Sequence, residues 1–253
     1  MILPFLLLRY KNIFKSIKNN FLIITILALF SVTLFNTILY IGLRETGATN
    51  ALLINLNVPI VILVLSYFIL QQKISINQVF GIIISSIGVV YLVLQGELEN
   101  FISLEFHKGD LWIILASTIW AFYSVILKFK PKDLSDFDFF IAIVLLGFIL
   151  LTPVYILQGY PLQREINIVK NNFWIIIYVS FFTSILSYYF WHYGIERIGA
   201  NKTSQFTYLM PIFGSVLAYF FLGETLEMYH LVGVVFIGIG IYLSLFFKRA
   251  IRS

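Results

Sequence analysis

Eight apolar stretches, each close to the thickness of a lipid bilayer, follow one another along this chain at 21–43, 48–70, 77–94, 111–129, 137–157, 173–195, 200–222 and 230–247. A hydrocarbon core of about 30 Å is crossed by about 20 apolar residues in a helix. Inside lipid the backbone must satisfy its own hydrogen bonds, so runs of this length fold as helices. The expected fold is therefore all-α, a polytopic transmembrane helical bundle with about eight full spans. Composition excludes the alternatives: 60% of the 253 residues are hydrophobic and 11% are charged. Soluble domains carry about 25% charged residues. That contrast removes soluble enzymes, nucleic-acid binders and disordered tails, and leaves the bilayer itself as a partner. With no cysteine in the chain, disulfides, thiolate nucleophiles and cysteine metal sites are also excluded.

Ahead of the first span lies an apolar stub, residues 1–8, followed at once by Arg9, Lys11, Lys15 and Lys18. The charges come after the apolar run and no small-residue cleavage site follows, which argues against a signal peptide. The stub is too short to span. Alternate loops then gather the basic residues: Arg9, Lys11, Lys15, Lys18, Lys73, Lys128, Lys130, Lys132, Arg197, Lys202, Lys248, Arg249 and Arg252 fall on one side. Arg44, Lys108, Arg164 and Lys170 fall on the other, together with most of the acids. A split of 13 to 4 predicts, by the positive-inside rule, a multi-pass protein of the cell membrane with a cytoplasmic C-terminus.

The chain also matches itself. At an offset of 152 residues, Asn20-Phe21 aligns with Asn172-Phe173, Gly47-Ala48 with Gly199-Ala200, Pro59-Ile60 with Pro211-Ile212, and Tyr67-Phe68 with Tyr219-Phe220. Gly81 and Gly88 align with Gly233 and Gly240 without a gap, and about a quarter of positions 20–95 are identical. The charge count puts loop Arg44-Glu45 outside and its counterpart Glu196-Arg197 inside, so the two copies point in opposite directions. Inverted repeats of this kind belong to secondary transporters, which rock one repeat against the other. The expected division is a first repeat at 1–95, an external linker at 96–110 and a second repeat at 111–253. The second holds five helices and the first only the last three. Ile2-Leu-Pro-Phe5 matches Leu151-Thr-Pro-Val154 at the end of a second-copy helix. About 40 to 50 residues, one helix and most of another, are expected ahead of Met1 on this alignment.

Several motifs resemble the drug/metabolite transporter superfamily, in particular its EamA-type members with two five-helix inverted repeats. They are Tyr-Gly-Ile-Glu-Arg-Ile-Gly-Ala200, Met-Pro-Ile212 followed by Tyr-Phe-Phe-Leu-Gly-Glu224, Gly233 through Gly240, and Gly109-Asp110 opening the helix that carries Trp120-Ala121-Phe122-Tyr123. The resemblance covers the chain from Pro4 onward and implies cytoplasmic termini, a central cavity and movement of small metabolites such as amino acids, with no cofactor. The first copy departs from it at Gln71-Gln72, where the second has Gly223-Glu224.

Polarity at membrane depth points to a site, because polar groups there need partners or a water-filled cavity. Asn36 and Tyr40 lie four apart on one helix face, and their repeat partners are Tyr188 and His192. Such a group lines a cavity or hydrogen-bonds to neighbouring backbone. Asn55 and Asn57 cannot share a face, so Asn55 stands as a candidate beside Gln205 and Tyr208 of the second copy. Trp120, Tyr123 and Ser124 add a polar-aromatic stripe that lines a cavity or packs helices together. Pro59 and Pro211 interrupt the same helix of each copy, as a pair of hinges or as static kinks. No Asp, Glu, Lys or Arg lies deep in a span, which leaves His192 as the candidate proton site. The three histidines are far apart and the acids sit in loops, so neither a metal site nor an enzyme is expected. The functional expectation is efflux of small organic, amino-acid-like solutes by alternating access. A non-transporting remnant or membrane subunit, or a flippase for lipid-linked substrates, stands as the alternative. The sequence leaves oligomeric state open.

Overall fold

Residues 2–246 apart from Leu98 and Ser103 are described by a computed structural model. The basic residues Lys248, Arg249 and Arg252 lie outside the described residues. Ten helices carry the architecture: α1 Leu3–Asn19, α2 Phe21–Gly42, α3 Ala48–Leu70, α4 Ile76–Val93, α5 Lys108–Phe129, α6 Asp136–Leu157, α7 Leu162–Asn171, α8 Phe173–Ile198, α9 Ala200–Leu222 and α10 Met228–Leu245. All but α1 and α7 are long and apolar enough to cross a bilayer. They coincide with the eight expected spans to within a few residues, and the protein is a polytopic all-α membrane bundle. No strand occurs among the described residues.

The stub is longer than its apolar residues. It is the first part of α1, a 17-residue helix. Pro4 sits in its first turn, where a missing N–H costs nothing. Beyond the stub, Lys11, Lys15 and Lys18 recur on one exposed face while Ile13, Ser16 and Ile17 are buried on the other. A hydropathy reading sees only the charges there; the helix is amphipathic.

Local geometry recurs at the 152-residue offset. Asn20 and Asn172 occupy the same junction, each donating its side-chain amide to the carbonyl four residues earlier, Ser16 at 3.3 Å and Ile168 at 3.0 Å. Helices α2 and α8 each widen into π-helical turns, at Leu29–Phe35 and Val179–Leu186. Helices α3 and α9 end on a left-handed residue, Gln71 at φ 54° and Gly223 at φ 72°. Helices α4 and α10 open with capping boxes, Ser75 with Gln78 and Glu227 with His230. In the second box the Glu227 N–H donates to His230 Nδ1 at 3.0 Å, which accounts for that histidine as a helix cap.

The chain divides into two compact units: residues 1–36 with 126–197, and residues 37–125 with 198–253. Each takes helices from both sequence repeats. In the first, α6 packs on α1 and on the first half of α2, where Gly147 lets Val32 approach. In the second, α4 and α10 form the most extensive pairing. A Cβ on Gly81 would stand 2.5 Å from the Gly240 carbonyl oxygen, and one on Gly88 3.0 Å from that of Gly233. The pairs are reciprocal and antiparallel, as a two-fold axis between equivalent helices requires. Near the centre Ser85 Oγ donates to the Ile237 carbonyl at 3.4 Å, again at a separation of 152.

Within each unit, loops that the charge count assigns to one side meet one another. Arg9 pairs with Asp138 at 3.2 Å, and Lys130 pairs with Asp136 and, at 3.6 Å, with Glu196. In the second unit Asn201 donates to Gln72 at 3.0 Å on one side. On the opposite side Thr46 donates to Asp110.

Candidate functional site

In the first unit the polar residues of α2 and α8 come together at the widened turns. A π-helical turn shifts the backbone register, and such turns occur often at functional sites. Here the Ser31 carbonyl is met by side chains. Asn36 Nδ2 donates to the carbonyls of Ser31 and Val32, both at 3.1 Å, and Tyr188 Oη donates to Ser31 at 2.8 Å. Asn36 Nδ2 also reaches Tyr188 Oη at 3.3 Å. The two residues predicted as repeat equivalents thus touch directly. Polar groups deep in a span are costly unless paired, and this node pairs them.

His192 lies one turn beyond Tyr188 on the same face of α8 and is 2% exposed. Its ring is 5.3 Å from that of Phe139 and 6.0 Å from that of Tyr188. Glu196, a further turn along, belongs to the Lys130–Asp136 ion-pair cluster at the end of the helix. Tyr188, His192 and Glu196 therefore form a stripe at intervals of four, leading from the loop cluster to the Asn36 node. Asp136 and Lys130 act electrostatically on the His192 imidazole from α6 and the loop before it.

The second unit holds the other candidates in separate places. Asn55 and Tyr208 share a cavity of about 10 Å³ with Leu52, Leu56, Val89, Thr207, Met210 and Pro211. That volume holds about one water molecule and no metabolite. Tyr208 Oη, bonded to Ser86 Oγ at 3.2 Å, lies 3.4 Å from the Leu56 carbonyl, its repeat equivalent. Both prolines stand at breaks. Asn57 begins a new helical segment after a turn at Leu56, two residues before Pro59. A 3₁₀ turn, Phe206–Leu209, comes immediately before Met210-Pro211. Proline cannot donate to the carbonyl four residues earlier, so each helix must loosen there. Gln205 is 1% exposed, and its Oε1 has no hydrogen-bond partner among the described residues. Trp120 and Tyr123 pack at 5.3 Å between ring centres, and Ser124 Oγ donates to the Trp120 carbonyl at 2.8 Å. Tyr40, by contrast, is 55% exposed and joins none of these clusters.

Two groups were not among the candidate site residues, although Asp110 belongs to one of the motifs that carry the resemblance. Asp110, 1% exposed, accepts from Thr46, from Asn50 at 3.1 Å and from the His107 backbone N–H at 2.8 Å. It ties the loop after α2 to the start of α5, where Gly109 admits the backbone of Glu45 and Gly42 too closely for any side chain. The ion pairs of Arg9, Lys130, Asp136, Asp138 and Glu196 were likewise read only as loop charges. The signal available was the run of three lysines, Lys128, Lys130 and Lys132, followed at once by three aspartates, Asp133, Asp136 and Asp138. No group of three or more potential metal ligands occurs among the described residues.

A model of the EamA-like transporter family matches residues 1–94 and 107–246. An uncharacterized transporter of Bacillus subtilis, YyaM, is 29% identical over 228 residues, covering 90% of this chain and 74% of its own length. An uncharacterized transporter of Archaeoglobus fulgidus is 27% identical over 240 residues, covering 92% of this chain and 79% of its own. A chloroplastic WAT1-related protein of Arabidopsis thaliana, At3g02690, is 26% identical, covering 89% of this chain and 55% of its own. A solved crystal structure of a protein 18% identical superposes with a TM-score of 0.63 over 88% of this chain and 74% of that one, which shows a shared fold.

Proposed function

The chain belongs to the EamA-like transporter family and is a multi-pass membrane transporter, and from that premise we propose that it exports small organic, amino-acid-like solutes across the cell membrane by alternating access between two inverted repeats. The observation that carries this reading is the hydrogen-bonded node of Asn36 and Tyr188, equivalent residues 152 apart, at paired π-helical turns in the span interiors. Polar pairing at an axis between repeats is where a carrier concentrates its substrate contacts. His192 beside the node is the proposed proton site. Tyr40, Asn55, Gln205 and Tyr208, with Trp120, Tyr123 and Ser124, are proposed as further lining groups. Pro59 and Pro211 are the proposed hinges, because each stands where its helix is already broken.

The test is a solute screen on the reconstituted full chain, comparing wild type with Tyr188→Phe and His192→Ala. Loss of at least tenfold in rate for one amino-acid-like solute in Tyr188→Phe, with the folded fraction kept, supports the site. Equal rates across wild type and both variants would remove it. If His192 carries the proton, His192→Ala abolishes the dependence of transport on pH.

A further inference from the structure

Helix α7 differs from every span. It has ten residues and joins the end of α6 to the start of α8. Leu162, Ile166 and Val169 recur at helical spacing on one face, and all three are exposed. Asn167 and Asn171 lie opposite them. In α1, at the 152-residue offset, the corresponding stretch buries Ile13 and Ile17, and α1 packs against α6. On that face of α1 Tyr10 and Phe14 are exposed as well, but Ile17 is buried where α7 has the exposed Val169.

The span before α7 ends at Leu157 and the span after it begins at Phe173, so α7 starts and ends within a few residues of a span end. Glu165 lies near the phenol of Tyr155, and the Arg164 guanidinium stands 4.1 Å over the ring of Tyr160. Tyr155, Tyr160, Phe173 and Trp174 bracket the helix with rings, and Trp174 is 78% exposed. Amphipathic rings and basic residues at such a level mark the headgroup layer. At the junction of α7 and α8 an open recess of about 490 Å³ is lined by the consecutive residues 169–175, Val169, Lys170, Phe173 and Trp174 among them. Lys170 brings an ammonium to this lining and Phe173 and Trp174 bring rings, while the Asn172 amide is held by the Ile168 carbonyl at 3.0 Å. Of the charges on α7, Arg164 and Lys170 are positive and Glu165 is the one acid.

We propose that α7 lies in the lipid headgroup layer with Leu162, Ile166 and Val169 turned into the acyl boundary, and that the recess seats the phosphate of an anionic phospholipid against Lys170. The ring edges of Phe173 and Trp174 then flank the glycerol and the upper acyl chain.

The absence of cysteine from the chain makes the test direct. Single cysteines at Ile166 and Asn167 of the full chain carry an environment-sensitive dye in vesicles of phosphatidylcholine and phosphatidylglycerol. The expected result is quenching of the 166 dye by nitroxide-labelled lipid and of the 167 dye by aqueous iodide. Mass spectrometry of the protein released from these membranes reads retained phosphatidylglycerol, which is expected to fall about fivefold in Lys170→Gln and to stay unchanged in Lys73→Gln. A 166 dye shielded from lipid, by water or by a second copy of the chain, would overturn the proposal. Undiminished lipid in Lys170→Gln would do the same, as would displacement of the lipid by inorganic phosphate, which would make the recess a site for free anions. None of these readouts involves transport, so they stand apart from the proposed carrier activity.

Discussion

Gly81 and Gly240 face each other across α4 and α10 so closely that a Cβ on either would stand 2.5 Å from the carbonyl oxygen of the other. The obstacle is backbone on both sides and cannot rotate away. Gly81→Ala or Gly240→Ala is expected to destabilise the fold by about 1 to 3 kcal/mol, the range for overpacking a tight contact. Gly214 and Gly238 meet nothing within 4 Å of an added Cβ, and both lie inside helices. Their alanine variants are expected to be neutral or to gain up to about 1 kcal/mol from helix propensity. Unfolding midpoints in a graded detergent series compare the four, and equal midpoints would refute the close-packed axis.

Gln71 and Gly223 hold the same left-handed position at the ends of α3 and α9, at φ 54° and φ 72°. A side chain there costs about 1 to 2 kcal/mol that glycine does not. Gln71 recovers part of it by donating to the Phe68 carbonyl at 3.1 Å. Gln71→Gly is therefore expected to raise stability by about 0.5 to 1 kcal/mol, and Gly223→Ala to lower it by about 1 kcal/mol. The same unfolding assay reads both, and a loss of stability in Gln71→Gly would contradict the assignment.

The spans and their boundaries were legible because bilayer thickness sets helix length, and this chain keeps charge out of every core. The glycines and prolines set the 152-residue offset, and local geometry recurs at it in the left-handed caps at Gln71 and Gly223 and in the helix breaks beside Pro59 and Pro211. The polar group was legible as positions and in its backbone hydrogen bonds, which Asn36 and Tyr188 make to Ser31 and Val32, but the direct contact of Asn36 with Tyr188 was not. The widened turns at Leu29–Phe35 and Val179–Leu186 leave no mark in hydropathy, since the same apolar residues fill an α-turn as readily. Helix α1 was read as an eight-residue stub because its second half buries a single narrow face. Asp110 escaped because a carboxylate beside a loop reads as solvated until Thr46, Asn50 and the His107 N–H are seen around it.

The sidedness of the loops gives a direct expectation. Ser75 precedes α4 on the side that gathers the basic residues, and Glu97 follows α4 on the other. With single cysteines in the otherwise cysteine-free chain, a membrane-impermeant maleimide added to intact cells is expected to label Glu97→Cys and to spare Ser75→Cys until the cells are opened. The reverse pattern would invert the topology and make the basic loops external.

Lys130 is the hub of the ion pairs beside α8. It pairs with Asp136 and Glu196, lies 5.8 Å from the ring centre of Phe139, and has a side chain 13% exposed. Asp136 is nearly as enclosed, at 16%. Both carboxylates need the ammonium, whereas the ammonium retains one partner if the other is lost. Lys130→Met is therefore expected to cost about 3 kcal/mol, because it leaves Asp136 enclosed without a counter-charge. Asp136→Asn should cost less, and Glu196→Gln, whose side chain is 57% exposed, less than about 1 kcal/mol. In a double-mutant cycle, Lys130→Met with Asp136→Asn is expected to recover most of the loss of Lys130→Met alone, a coupling of about 1 to 3 kcal/mol. Strict additivity of the two substitutions in the unfolding series would show that the pair contributes nothing to anchoring the start of α6.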